Sequence, residues 1–433
     1  MKKKILKTLA LVLALTMVVA TFAACGNNGG NGTEIIEIDE SKLDGYTFRV
    51  SAYRDFSNDP LNMGYADGAD EFLERYPQAH VEDLTIGDTA TSDIAAAIAA
   101  GDVWDIQYVF TCTMLPGSIV DGLYDPIDGY FDLKDERVDA GALKNGYFDG
   151  HYYGVANSIM NELNYISYNE NMFKENGIKT PHEYYAEGKW NLDAFMEICK
   201  ALDEKELKIN TGSFGRPDWI LNRATKWNDD YTEVEIILDS NETRQDLDKF
   251  RTILYDYDMN AAGTVTKREV ALSSDVMPNI IKTNNTAETT DTIRYIYIPS
   301  SNPDRIDAHG FFTDAAFLTP AGSNPDTKAA AVELAISMGV GRKAYLDDYY
   351  QTMLNADDYA LLMKTFENSK PLARGFSEFK YNQFGFAGEM KTGKSVSTYV
   401  SEISGQLRTY AENFNTKIKK YREETGLSNA DAE

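Results

Sequence analysis

Residues 71–109 read EFLERYPQAHVEDLTIGDTATSDIAAAIAAGDVWDIQYV, and the punctuation of this stretch decides the fold class. Phe72, Leu73 and Tyr76 share one side of a helix over residues 68–76, and Pro77 stops it because proline has no amide hydrogen to give. Residues 79–84 then read as a strand. Ser92 or Asp93 caps an alanine-rich helix, Gly101 ends it, and residues 104–110 make another strand. Working outward, residues 46–52 (YTFRVSA) supply a first strand before the first helix. Strand and helix alternating with such short loops imply a parallel, doubly wound sheet.

The middle of the chain is more helical. Residues 191–202 (NLDAFMEICKAL) put Leu192, Phe195, Met196, Cys199 and Leu202 on one face, and residues 243–256 turn Leu247, Phe250, Ile253 and Leu254 inward. Residues 293–299 (IRYIYIP) read as a strand ending in proline, residues 326–338 as an alanine-rich helix, and residues 395–422 as largely helical. There is no internal repeat. A chain of 433 residues exceeds one ordinary core, so two lobes are expected.

The amino terminus has the order of a secretory leader. Lys2, Lys3, Lys4 and Lys7 precede an apolar run shorter than the roughly 20 residues of a spanning helix. Small residues follow, and then FAACGNNGGNG at 22–32. Phe22-Ala23-Ala24-Cys25 resembles the lipobox of bacterial lipoproteins, departing at Phe22, where leucine is preferred. It implies cleavage before Cys25 and acylation of its thiol, leaving residues 25–45 as a lipid-anchored tether. The formal charge of −26 argues against nucleic acid and against anionic lipid surfaces as partners. Cys112 and Cys199 either pair or stand as two buried thiols, the latter being the favoured reading, and the four scattered histidines give no metal site. No cofactor is expected.

With these elements in place, several motifs carry a family likeness. EFLERYPQAHVED, DIAAAIAAGD and WDIQYV resemble the first lobe of the bacterial extracellular solute-binding proteins of the family that includes maltose-binding protein. Residues 146–177 (GYFDGHYYGVANSIMNELNYISYNENMFKENG) are similar to its "dGk-YgvP … YNkdlFeknG" segment. Residues 188–202 (GKWNLDAFMEICKAL) and 311–339 (FFTDAAFLTPAGSNPDTKAAAVELAISMG) follow in the family's order. The likeness covers most of the chain after the leader. It implies an α/β, two-lobed periplasmic-binding-protein-like fold of type II, each lobe a doubly wound sheet flanked by helices and joined by hinge segments. The lobes would comprise residues 46–155 with 300–345, and 156–299 with 346–433, crossing near 153–156, 297–300 and 345–347. It further implies a monomeric receptor that closes on a sugar and docks on the permease of an ABC importer, held at the membrane by the lipid on Cys25.

Ligands of open α/β sheets sit at the carboxyl ends of the strands. That places Arg54 and Asp55 after the first strand, where they offer a donor fork and an acceptor to sugar hydroxyls or form a solvated turn. Thr111 follows the third strand. In the family a carboxylate at the position of Glu162 contacts sugar. Trp219 and Trp227 fall where relatives stack indoles on the apolar face of a pyranose, the other reading being core packing. Arg374 and Phe376 (KPLARGFSEF, 370–379) lie where relatives carry a ligand-facing loop. Trp190 and Trp104 read as structural. Residues 267–299 lack the family's Gly-Lys-Ala segment, so the second-lobe wall is expected to be rebuilt.

Other classes fit less well. A secreted glycosidase would need two carboxylates facing across a cleft, and no motif fixes such a pair. GxSxG, HExxH and the P-loop are absent. DLKDERVD (132–139) and DSNETRQD (239–246) lack the loop glycine and terminal glutamate of an EF-hand. A receptor for a peptide or a polyamine remains the main alternative to a sugar receptor.

Overall fold

The computed structural model describes residues 35–52, 64–85, 91–110, 114–138, 140–155, 163–211, 224–257, 260–285, 289–301, 315–368 and 386–426. The leader and Cys25 lie outside them. In chain order, β1 (Thr47–Ala52) leads to helix Tyr65–Arg75, β2 (His80–Thr85), helix Thr91–Ala100 and β3 (Ile106–Phe110). A small hairpin, β4 (Tyr147–Phe148) and β5 (His151–Tyr152), precedes β6 (Gly154–Val155). Next come β7 (Asn164–Asn169), helix Leu192–Glu204, β8 (Ile209–Asn210), the hairpin β9 (Thr225–Trp227) and β10 (Val234–Ile236), and helix Asn241–Arg251. After β11 (Leu272–Val276), β12 (Ile293–Tyr297) and β13 (Ala315–Leu318), the chain is helical over Lys328–Met353, Ala356–Asn368 and Val396–Thr425.

Two sheets organise these strands. The first has the order β2-β1-β3-β13-β6 and the second β12-β7-β11-β8. The opening β-α-β-α-β does make parallel pairs, β1 with β2 from Thr47↔His80 to Ala52↔Thr85 and β1 with β3 at Val50↔Ile106. The sheet is nevertheless mixed. β13 runs antiparallel to both β3 and β6, with Ala315↔Phe110 and Phe317↔Val155. Its direction follows from its origin: the chain returns from the second sheet and enters at the end where β3 finishes. In the second sheet β7 is antiparallel to both β11 and β12, while β8 is parallel to β11.

One core lies under the first sheet, where Phe48, Val50, Ile106, Tyr108 and Phe317 meet Tyr65 and Phe72 of helix Tyr65–Arg75 and residues Ala330 to Met338 of the long helix. The other core joins the opposite face of that sheet to the second sheet and the carboxyl-terminal helices. Asn191 and Ser395 cap their helices by accepting from Ala194 N–H and Thr398 N–H. Trp190 is 2% exposed, and its Nε1 donates to the Tyr297 carbonyl at 3.0 Å. Trp104 is buried as well. The Cys199 thiol is buried and free, with its pKa pushed up by desolvation; Cys112 lies outside the described residues.

The helix expected over residues 326–338 continues to Met353. The extension was hidden because the helix changes partners part-way. Its apolar side through Met338 faces the first core, whereas Leu346 and Tyr350 face the second.

Candidate functional site

The strand ends define where a ligand can be met. β1 ends at Ala52 and β3 at Phe110, on adjacent strands and at the same end of the first sheet. β13 enters at that end, since Ala315 is paired with Phe110. In the second sheet β7 begins at Asn164, opposite the carboxyl end of β11 at Val276, and Tyr165 is opposite the last residue of β12, Tyr297. β8 finishes on the same side: Ser274 Oγ donates to the Thr211 carbonyl at 2.9 Å. The Met277 amide donates to the Leu163 carbonyl at 2.8 Å. Helix Ala356–Asn368 brings its carboxyl-terminal turn to this end, where Thr365 Oγ1 and Tyr165 Oη hydrogen bond at 2.8 Å.

The residues singled out from sequence attach to these ends. Arg54 and Asp55 follow Ala52, Thr111 follows Phe110, Glu162 precedes Leu163, and Trp219 falls between Thr211 and Ala224. Arg374 and Phe376 follow helix Ala356–Asn368. All seven lie outside the described residues, so what the structure provides is their anchor points. Those of the first sheet converge at the carboxyl ends of β1 and β3, and those of the second at the carboxyl ends of β8, β11 and β12.

Trp227 is the one candidate within the described residues. It closes β9, with its ring 6.1 Å from Phe414 in an edge arrangement and 6.3 Å from Tyr231. The hairpin carrying it is fastened to helix Val396–Thr425 by Asn415, which accepts from Val234 N–H and donates to the Val234 carbonyl, both at 3.0 Å. This ring is therefore engaged in packing between the hairpin and the carboxyl-terminal helix.

Sequence reading missed a seam beside the crossing that follows β6. There Asp149 takes a left-handed φ of 50° and is 8% exposed. Arg422 Nε donates to its Oδ2 at 3.1 Å, and its amide donates to the Asp230 carbonyl at 2.9 Å. The Tyr147 hydroxyl donates to Asp230 Oδ1 at 3.0 Å, and burial with that bond pushes its pKa up to about 12. Tyr153 and Tyr421 hydroxyls meet at 3.3 Å. The only hint in sequence was the density of tyrosine and aspartate around residue 150, which has no spacing that marks a seam.

His151 sits on the same hairpin, with Nδ1 3.1 Å from Asp128 Oδ2. That hydrogen bond raises the imidazole pKa, outweighing the burial that lowers it. The folded pKa thus exceeds the unfolded value of about 6.5, so the stabilisation is present below about pH 6.5 and lost as pH rises through the folded pKa. Urea unfolding at about pH 6 and pH 8 should show the native chain losing stability across that window. His151→Asn should remove most of this difference, and an unchanged slope would rule His151 out as its source.

No family model matches the chain, and a search of curated proteins finds no relative. Solved structures do match. The galacto-N-biose/lacto-N-biose I-binding protein of the ABC transporter from Bifidobacterium longum superposes with a TM-score of 0.64 at 12% identity. That match covers 89% of this chain and 99% of that one. The fold is that of the two-lobed ABC solute-binding proteins. An ABC substrate-binding protein from Listeria monocytogenes, in complex with cycloalternan, gives 0.60 at 14% identity over 84% and 99%. UgpB from Mycobacterium tuberculosis, in complex with glycerophosphocholine, gives 0.61 at 12% identity over 85% and 99%. The two-lobed fold is the one the likeness implied; the antiparallel insertion of β13 into the order β2-β1-β3-β13-β6 was not part of that expectation.

Proposed function

We propose that this protein is the receptor of an ABC importer. It captures a carbohydrate, with an oligosaccharide the favoured size, by closing two lobes on it. The observation that carries the reading is the convergence of strand ends: two sheets, linked by crossings after β6 and β12, direct the segments holding Arg54, Asp55, Thr111, Glu162, Trp219, Arg374 and Phe376 from their carboxyl ends. The lobes are taken as residues 46–155 with 300–345 and residues 156–299 with 346–433. Closure of such lobes on a ligand is a known mode of hinge motion. Lacto-N-biose and cycloalternan in similarly folded proteins favour a sugar. Glycerophosphocholine in a third keeps another polar solute as the competing ligand.

Thermal unfolding of the chain from residue 25 onward, against mono- and oligosaccharides, peptides, polyamines and glycerophosphocholine, tests the reading. A sugar at about 100 times its Kd contributes about 2.7 kcal/mol and should raise the melting temperature by several degrees. If only a non-sugar does so, the sugar assignment falls and the receptor assignment stands.

The lipid on Cys25 would keep the receptor beside its permease at high local concentration. Mass spectrometry of the mature amino terminus should find a diacylglycerol adduct on Cys25. An unmodified amino terminus elsewhere would remove the anchor from the proposal.

A further inference from the structure

The chain joins the first lobe well before β1. The Ile36 amide donates to the Gly129 carbonyl at 2.8 Å, and Ile38 packs against the first core. Lys42 Nζ donates to Asp326 Oδ2 at 3.2 Å, Leu43 is fully buried, and the Gly45 amide donates to the Gln78 carbonyl at 2.9 Å. Ten residues, Cys25 to Glu34, therefore separate the candidate lipid site from a docked root at Ile35. Ten residues reach at most about 36 Å.

This root lies at the end of the lobe opposite the candidate ligand site. Gly45 and Tyr46 lead into the amino end of β1, whereas Arg54 and Asp55 follow its carboxyl end. The segment holding Gly129 belongs to the same far end. β13 enters beside Phe110 and leaves at Leu318, and the Asp125 amide donates to the Thr319 carbonyl just beyond it, at 3.1 Å.

Apolar exposure gathers there too. Among the described residues, the exposed large apolar side chains are Ile35, Ile36, Leu133 and Met353. All but Met353 belong to this end, since Ile36 is fixed to Gly129 and Leu133 follows Gly129 along the chain, at most about 14 Å away. Single scattered side chains would need no explanation, but a group at the root of a leash does. Glu37, Glu40, Asp132 and Glu136 beside them are exposed as well, so neutral headgroups fit this surface and anionic ones would be repelled.

We propose that Ile35, Ile36 and Leu133 form a face that rests on the neutral phospholipid surface around the anchor, turning the ligand end of the first lobe to the medium. This rests on the reading of Cys25 as the anchored residue. These aliphatic side chains bury less than one acyl chain, whose own hold is marginal and reversible. The contact therefore forms only beside the anchor, where the short leash supplies a high local concentration. It is also weak enough to release when the receptor docks on a permease.

Photocrosslinking tests the face. The chain from residue 25, carrying Cys112→Ser, is coupled through Cys25 to a maleimide lipid in phosphatidylcholine vesicles. The photoreactive p-benzoylphenylalanine replaces either Lys134, beside Leu133, or Lys343, where the long helix passes Gly64 at the ligand end; both lysines are exposed. Lipid adducts read by mass spectrometry should be at least about fivefold more abundant at position 134 than at position 343. Ile35→Asn, Ile36→Asn and Leu133→Asn together should cut the yield at position 134 to about half or less.

Equal yields at the two positions overturn the orientation. A yield at position 134 that survives the triple substitution shows that the leash alone holds this end near lipid, and overturns the contact. Because the anchor in this experiment is synthetic, both outcomes stand apart from native acylation. An unmodified native amino terminus would remove the anchor reading alone.

Discussion

Asp358→Ala should destabilise the protein by about 3–5 kcal/mol, the usual cost of leaving a buried charge without its partner. The carboxylate is 0% exposed. Its Oδ1 accepts from Arg294 Nε at 3.0 Å and lies 2.9 Å from Nη2, while Oδ2 accepts from the Tyr295 amide at 3.2 Å and Asn355 Nδ2 at 2.8 Å. His182 Nε2 lies 3.0 Å from Oδ1 but off the hydrogen-bonding direction, and its Nδ1 pairs with the Tyr168 hydroxyl at 2.8 Å. One carboxylate thus fastens helix Ala356–Asn368 to the edge strand β12. Without it Arg294 keeps, among the described residues, the carboxylate of Glu170 at 3.6 Å.

Denaturant unfolding of Asp358→Ala, Arg294→Met and the double variant with Asp358→Leu separates two accounts. If the pair is a specificity device, each single change is costly and the apolar double variant recovers most of the loss. If the effects simply add, the two groups are not coupled and the network is not what holds the helix. Because helix Ala356–Asn368 leads into the segment with Arg374 and Phe376, the single variants should also weaken binding of the sugar proposed as ligand.

The first lobe was legible because its signals are local. Pro77 and Gly101 end elements where sequence placed the ends, and the strands at 47–52, 80–85 and 106–110 lie within a residue or two of their expected bounds. Pairing between distant segments was not legible. Nothing in AAFL, residues 315–318, states that it runs antiparallel beside β3, because that depends on the chain having first visited the second sheet. The long helix was cut short for a related reason. Its buried face rotates as it passes from one core to the other, so Lys343, Asp347 and Asp348 interrupt any single apolar stripe.

The candidate site was legible as a place rather than as a contact set. The rule that ligands meet the carboxyl ends of strands picked out positions after Ala52 and Phe110, the family likeness picked out Glu162 before Leu163, and the pairing registers bring those anchors to common ends of the sheets. Trp227 shows the limit of residue type as a guide. An indole serves equally well to cover a sugar face or to fill the gap between a hairpin and a helix, and its own sequence neighbourhood does not choose between them. The Asp149–Arg422 seam had no signal beyond the density of tyrosine and aspartate around residue 150, since it joins residues that only the fold brings together.

Gly68→Ala should cost about 3 kcal/mol, at the upper end of what overpacking costs, although the change improves helix propensity. From sequence Gly68 looked like the first residue of a helix, where glycine is unremarkable; the helix in fact begins at Tyr65 and Gly68 lies inside it. There a Cβ would overlap the Ser337 carbonyl oxygen of the long helix, and one on Gly64 would lie 2.6 Å from Tyr345 Cβ. These contacts involve backbone, which cannot step aside as a side chain can. The antiparallel helix pair that lets the long helix lie against the first lobe depends on them, with Arg75 reaching Glu333 and Ser337 further along. Gly405→Ala gives the opposite expectation, a gain of about 0.5–1 kcal/mol at a site with no close neighbour. Thermal unfolding of the two variants side by side decides whether glycine serves contact or chance at position 68. Equal small gains would show that the two helices can separate at little cost, and that the close backbone approach at Gly68 does not hold the long helix on the first lobe.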